Sequence, residues 1–466
     1  VTPLTLAELA AACGGVLGAG ADPAAVVTGP ATLDSRTVVP GGLFVALPGR
    51  RTDGHLFAAD AVAAGAAAVL AARPVAGPVV LVEDVAAALA RVAAAQRRAL
   101  DATVVAVTGS SGKTSTKDLL AVLLGRLGPT VAPPGSYNNE LGLPLTVLAA
   151  TDETRYLVLE MGARHPGNIA ALAALAPPDV GVVLNVGSAH IGEFGSREAI
   201  AATKGELVAA LAPGALAVLN ADDPLVAAMA ARAAPGVRVV RTGQRGDADV
   251  RAVGVVLDAS ARARFTLASD AGEVGVSLAL AGEHHVANAL SAAAVALALG
   301  ADLATVADAL GGASAASRWR MEVRERADGV TVVNDAYNAN PESMRAGLRT
   351  LAQLGQGRRT WAVLGEMAEL GSEATAAHDG VGRLAVRLSV DRLVVVGEAA
   401  RAIHTGACLE GSFAGESVFV PDPAAALALL VDQVAPGDVV LVKASRAVGL
   451  EVVAEGLLAA GGAVVP

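Results

Sequence analysis

The segment AVTGSSGKTSTKD, residues 106–118, carries an apolar run into Gly109, Ser110, Ser111, Gly112, Lys113, Thr114 and Ser115. Glycines in a short loop let backbone N–H groups curl around phosphate oxygens, and a helix starting there adds its positive N-terminal dipole. A lysine at that helix start reaches the β- and γ-phosphates of a nucleotide, and the threonine after it can ligate Mg²⁺. Only two residues separate Gly109 from Gly112. That is fewer than in the general G-x-x-x-x-G-K-[ST] loop and narrows the class of ATPase. Further chemistry-bearing residues follow: Glu160 in LVLEMGARHPGNI, His190 in VVLNVGSAHIGEFGS and Lys204 in AIAATKGEL. Mg²⁺ takes oxygen ligands and phosphate, and a second metal tolerates an imidazole. Each residue alone has a plainer reading: a loop acid, a hydrogen-bonded surface histidine, a lysine on a helix face. Beside a phosphate loop they read together as a phosphoryl-transfer site, in which a lysine next to a metal carries the wrong sign.

These residues need elements to hold them on one edge. TVVAVTG (103–109), YLVLEMG (156–162), VGVVLNV (180–186) and ALAVLNAD (215–222) are apolar runs of strand length, each ending in a polar or glycine turn before a helix-like segment. That is the pattern of a buried parallel sheet, whose ligands gather at the carboxyl ends of its strands. VTVVNDAY (330–337), TWAVLGEM (360–367), DRLVVVGE (391–398) and GDVVLVKAS (437–445) repeat it, predicting a second doubly wound unit. The first hundred residues differ, with short strands and turns, and a long helix-like stretch, VAAALARVAAAQRRALD (85–101), leads out of them. The segment GGASAAS (311–317) reads as a linker. The expected fold class is α/β with three domains, at 1–102, 103–314 and 315–466: a small α/β N-terminal unit, a central P-loop ATPase domain with a mostly parallel sheet, and a Rossmann-like C-terminal unit.

Composition excludes several alternatives. The 466 residues include 53% hydrophobic ones, but the excess is mostly alanine. No run of about 18 strongly apolar residues stands out, so stable membrane insertion is not expected. The opening VTPLTLAELAAACGG has no basic segment ahead of an apolar stretch, so it does not read as a secretory signal. Two distant cysteines, Cys13 and Cys408, imply no disulfide framework and fit a reducing cytoplasm. A net charge of −10 and 2% aromatics argue against nucleic-acid binding.

Several further motifs extend the pattern: NNELGLPLTVL (138–148), LEMG (159–162), ATKGEL (202–207), GEHHVANAL (282–290), SRWRMEV (317–323), VNDAYNANPESM (333–344), VLGEMAELG (363–371) and VKASRAVGLE (442–451). With TGSSGKTS (108–115) and NVGSAHIGEFGS (185–196), this set resembles the Mur ligases, the ATP-dependent amide-forming enzymes of peptidoglycan assembly. DAYNANPESM resembles the member that adds D-alanyl-D-alanine to a UDP-N-acetylmuramoyl tripeptide. The DNPR tetrapeptide of the ligase that adds the third residue is absent. DSRTVVPGGLFVALPGRRTDGH (34–55) resembles the family's UDP-binding domain.

The resemblance implies roles residue by residue. Lys113 and the backbone of 109–114 would hold ATP phosphates, with Ser115 at the helix start. Thr114 and Glu160 would hold one Mg²⁺, and His190 would help hold a second. Lys204 would be carbamylated by CO₂, becoming an anionic metal ligand. Asn288 would contact adenine, with Asn338 lining the adenine side. Arg318 and Asp335 would contact ribose and phosphates. Ser35 and Arg36 would meet the UDP end, and Asn138 and Asn139 the peptide. The implied partners are the two small-molecule substrates, and the implied state is a cytoplasmic monomer. Three departures stand out: His285 replaces an expected asparagine, Ala444 a glycine and Leu450 a methionine. Asp53 and His55, in the polar loop RRTDGH (50–55), receive modest weight. The nearest alternative is another amide ligase of the superfamily, such as a folylpolyglutamate synthase. A more distant one is a non-enzymatic nucleotide switch.

Overall fold

The computed structural model describes residues 2–49, 52–412 and 415–460, and the backbone of 464–465. Arg50 and Arg51 of the RRTDGH loop lie outside the described residues. All eight apolar runs named above form buried strands. Valine and leucine on both faces leave these strands no stable place except a sheet covered on both sides.

The central sheet has nine strands. At its heart the strand Thr103–Thr108 lies parallel between Tyr156–Glu160 and Val180–Val183, and Leu216–Asn220 pairs next. The C-terminal sheet has seven strands, with Val439–Lys443 parallel between Thr331–Asn334 and Thr360–Leu364. The N-terminal unit is smaller, a five-stranded sheet and a two-stranded one. Three units, each built on its own α/β sheet, with a small two-stranded sheet added in the first, bear out the expected fold class.

Two features differ from the sequence reading. The central sheet continues through Arg238–Gly243 into an antiparallel meander, Val250–Leu257, Arg262–Ser269 and Gly272–Ala281. These strands alternate buried and exposed residues, which hides them from a search for continuous apolar runs. The helix Val85–Ala99 also does more than lead into the next strand. One contiguous core joins its Leu89 and Val92 to Leu6 and Leu9 on one side and to Leu143, Val147 and Leu148 on the other. The buried Gln96 amide donates to the Val147 and Ala150 carbonyls at 3.3 and 2.7 Å. The N-terminal unit is thereby fused to the central one through shared apolar packing, and each buried leucine there contributes about 1.5–3 kcal/mol. Among the described residues no helix is long and apolar enough to cross a membrane.

Candidate active site

The strand Thr103–Thr108 ends under the phosphate loop, and the helix Lys113–Gly125 begins where the loop ends. Gly112 sits at φ +80°, and a Cβ there would lie 2.5 Å from Asn288 Oδ1. Both the backbone conformation and the close approach therefore require glycine. Asn185, just past the neighbouring strand, holds the loop from below. Its Oδ1 accepts from Ser111 N at 2.9 Å and its amide donates to Ser111 O at 3.2 Å. Ser110 Oγ accepts from Gly187 N at 2.9 Å. Lys113 Nζ folds back onto Gly109 O at 2.7 Å. Burial lowers this ammonium below its usual range; Glu160 partly offsets that, and Arg320 adds to it.

Glu160 closes the adjacent strand and is 1% exposed. Its Oε2 accepts from Thr114 Oγ1 at 2.9 Å, and its Oε1 accepts from Asn138 Nδ2 at 2.7 Å. Two oxygens 2.9 Å apart match the edge between neighbouring ligands of an Mg²⁺ octahedron, about 3 Å for bonds of about 2.1 Å. Thr114 and Glu160 thus fit one cation. Among the described residues no group of three or more His, Cys, Asp or Glu could hold a metal ion; a cation at Thr114 and Glu160 would take its remaining ligands from phosphate and water. Asn138 orients the carboxylate. Asn139 also lines the cavity, but its Oδ1 accepts from Gly142 N, the first residue of the helix Gly142–Ala149, at 2.9 Å.

Lys204 ends the helix Arg197–Lys204, which Ser196 caps through Ala199 N. Its side chain is buried, and no described residue gives it a hydrogen bond or counter-charge. Burial pushes its ammonium well below the ordinary lysine range, and the positive charge of Lys113 pushes the same way. A lysine so placed loses its proton readily, as carbamate formation requires. His190 stands at φ +61° beyond the strand Val180–Val183. Its Nδ1 contacts Glu369 Oε2 of the C-terminal domain. Burial lowers its imidazole below the usual value, against the opposing pull of Glu369.

The C-terminal domain forms the other wall of a cavity of about 930 Å³. Asp335 Oδ1 accepts from Met321 N at 3.1 Å, and its Oδ2 pairs with the buried Lys443 Nζ at 2.5 Å. Burial lowers Lys443, with Asp335 opposing. Lys443 also donates to Asn338 O at 3.0 Å. Asn288, His284, Asn338 and Asp335 all face this space. Burial depresses His284 to about 4, with Asp335 opposing and Lys443 assisting. His285, the departure from the expected asparagine, is buried, and its Nε2 has no partner.

The cavity brings together Ser110 to Ser115, Glu160, His190, Lys204, Asn138, Asn139, Asn288, Asp335 and Asn338. Arg318 is not among them. Its side chain is 74% exposed and pairs with Glu455 at 3.0 Å. Arg320, two residues on, enters instead. Its Nη2 donates to Thr114 Oγ1 at 3.3 Å and Ser136 Oγ at 3.1 Å, and its guanidinium stacks on Tyr337. Trp319 and Met321 flank it at φ +58° and +50°. Those left-handed residues turn Arg320 inward, and no spacing rule in SRWRMEV foretells them. Ser35 and Arg36 lie on a short 3₁₀ turn outside this cavity, with Arg36 tied to Asp34. His55 is buried, bonded to Asp53 and accepting from Ala72 N at 3.0 Å, a structural arrangement. Glu369, Arg320, Asn185 and Lys443 are among the site residues that the sequence reading did not single out, as are Ser136 and Tyr337.

Three family descriptions match the chain: Mur ligase family, catalytic domain over 31–100; Mur ligase middle domain over 107–296; and Mur ligase, glutamate ligase domain over 319–446. The UDP-N-acetylmuramoyl-tripeptide–D-alanyl-D-alanine ligase of Mycobacterium tuberculosis (strain ATCC 25618 / H37Rv) is 55% identical, covering 98% of both chains. The Escherichia coli (strain K12) ligase of the same name is 37% identical, covering 97% of this chain and 98% of its own. Among solved structures, MurF from Acinetobacter baumannii superposes with a TM-score of 0.85 at 33% identity, covering 98% of this chain and 99% of that one. MurF from Thermotoga maritima in complex with ADP gives 0.78 at 33% identity, covering 93% and 98%. With a phosphate loop facing a second α/β domain across one cavity, and relatives matched over nearly its whole length, the chain belongs to the Mur ligase family of ATP-dependent ligases.

Proposed function

We propose that this chain joins D-alanyl-D-alanine to the terminal carboxylate of a UDP-N-acetylmuramoyl tripeptide, converting ATP to ADP and phosphate. The step completes the pentapeptide precursor of peptidoglycan in the cytoplasm. One observation carries the reading: the phosphate loop, the Thr114–Glu160 oxygen pair, His190 and the unpaired Lys204 share a single cavity between the central and C-terminal domains. The relatives at 55% and 37% identity bear the name of this activity and lend no support to folylpolyglutamate synthesis.

A carboxylate is a poor electrophile and needs activation. The tripeptide carboxylate attacks the ATP γ-phosphorus, ADP leaves, and an acyl phosphate forms. The D-alanyl-D-alanine amine then attacks the carbonyl carbon and phosphate departs. Attacking and attacked groups are both anionic, so positioning and charge neutralisation do most of the work. Lys113 swings from Gly109 O to the phosphates, and Arg320 delivers a second positive charge from the C-terminal domain. Thr114 and Glu160 would hold one Mg²⁺, with His190 and carbamylated Lys204 holding a second; bound there, the ions supply further positive charge at the phosphoryl group. Asn138 keeps Glu160 aimed, and Asn288 buttresses Gly112 below the adenine side. Ser35 and Arg36 would anchor the UDP end outside the cavity. The two facing domains exclude water from an anhydride that would otherwise hydrolyse. The test is phosphate release by the purified chain. Release should require both UDP-N-acetylmuramoyl tripeptide and D-alanyl-D-alanine. Release with neither, or with another amino acid in place of the dipeptide, contradicts the assignment.

A further inference from the structure

His190 and Glu369 belong to different domains, and both stand in the left-handed region, at φ +61° and +63°. Non-glycine residues held there cost about 1–3 kcal/mol each, and they persist where surrounding structure and function require them. Around this pair the two backbones touch. Gly192 N donates to Glu369 O at 3.2 Å. A Cβ on Gly192 would sit 2.6 Å from Gly371 N. Glycines on both sides let the domains approach closely enough for the Glu369 carboxylate to reach across. Its Oε2 takes His190 Nδ1, and its Oε1 pairs with Arg164 at 3.2 Å.

A histidine that ligates a metal through one ring nitrogen generally donates the other N–H to a carboxylate or carbonyl, which fixes tautomer and ring orientation. Glu369 occupies the Nδ1 side of His190, and the ring itself lines the cavity that contains Lys204. We propose that Glu369 is a positioning residue: it holds His190 with Nδ1 protonated and Nε2 free for the second metal, and it does so only when the C-terminal domain closes. The second metal site is then assembled across the domain boundary, whereas the Thr114–Glu160 site lies wholly within the central domain. Metal occupancy at His190 thereby reports domain closure. This inference rests on the two-metal reading above.

The test is direct counting of bound Mn²⁺ by electron paramagnetic resonance on the full chain, with a non-hydrolysable ATP analogue and bicarbonate. Wild type should bind two ions. Glu369→Ala should weaken one of them by about 10–100-fold and leave the other unchanged. Glu369→Gln keeps an acceptor for Nδ1–H and should retain part of that affinity. Gly192→Ala, a wedge at the glycine contact that spares both side chains, should weaken the same ion. Unchanged affinity for both ions in Glu369→Ala overturns the positioning role while leaving the ligase reading intact. Unchanged affinity in Gly192→Ala overturns the dependence on closure. A wild type that binds one ion or none overturns the two-metal reading and this inference with it.

Discussion

Replacing Arg320 and Arg318 in turn separates a residue that faces the phosphate loop from one that does not. Arg320 Nη2 lies 3.3 Å from Thr114 Oγ1 and 3.1 Å from Ser136 Oγ, on the wall opposite the phosphate loop. A guanidinium delivered in this way to a phosphoryl group is worth about 10³–10⁵ in rate where it acts alone. Here Lys113 shares the charge, so Arg320→Ala should lower kcat by about 10²–10³, a loss of about 3–4 kcal/mol. Lysine is a poor replacement, because it lacks the planar fork and the stacking surface that Tyr337 supports. Arg318 is a mostly exposed partner of Glu455. Such a pair contributes about 0–1 kcal/mol to stability, so Arg318→Ala should keep kcat within about twofold. Saturating phosphate-release assays on both variants, with melting temperatures to verify folding, make the comparison. A hundredfold loss in Arg318→Ala beside near-normal Arg320→Ala would refute the assignment.

Three further outcomes follow from the geometry. Lys204→Ala should be nearly inactive and partly restored by added short carboxylates; full activity in CO₂-depleted buffer would exclude a carbamate. Gly112→Ala places a side chain at φ +80° and 2.5 Å from Asn288 Oδ1. About 1–3 kcal/mol of strain should appear as a KM for ATP raised about tenfold, and an unchanged KM would show that the loop does not cradle phosphate. His284 titrates near 4 in the folded chain and near 6.5 when unfolded. The unfolded state therefore binds the proton first, and this contribution to stability is lost as pH falls below about 6.5. Between pH 7 and 5 the loss is about 2 kcal/mol. Denaturant titrations of wild type and His284→Asn should diverge by that amount over the interval; parallel curves would contradict it.

The parallel strands were legible because valine and leucine on both faces admit one environment. The meander at 250–281 was not, since its half-exposed strands carry charges among the apolar residues. The phosphate loop, Glu160 and His190 could be placed because strand ends on one sheet edge converge. The burial of Lys204 could not be read locally: AIAATKGEL fits a surface helix equally well, and only packing removes its solvent. The resemblance points to Arg318, and nothing in the residue types of SRWRMEV tells it from Arg320; two left-handed residues decide which side chain enters the cavity. Glu369 was missed because its partner, His190, lies 179 residues away in another domain. Contacts made by closure of separate units leave no periodic trace in a single sequence.

The proposed reaction turns on a bond formed between a tripeptide carboxylate oxygen and the ATP γ-phosphorus. Label that carboxylate with ¹⁸O, supply ATP and D-alanyl-D-alanine, and analyse the products by mass spectrometry. The acyl-phosphate route predicts that one labelled oxygen leaves in inorganic phosphate and the other stays in the new amide carbonyl. Label found in AMP, or phosphate free of label, would contradict it.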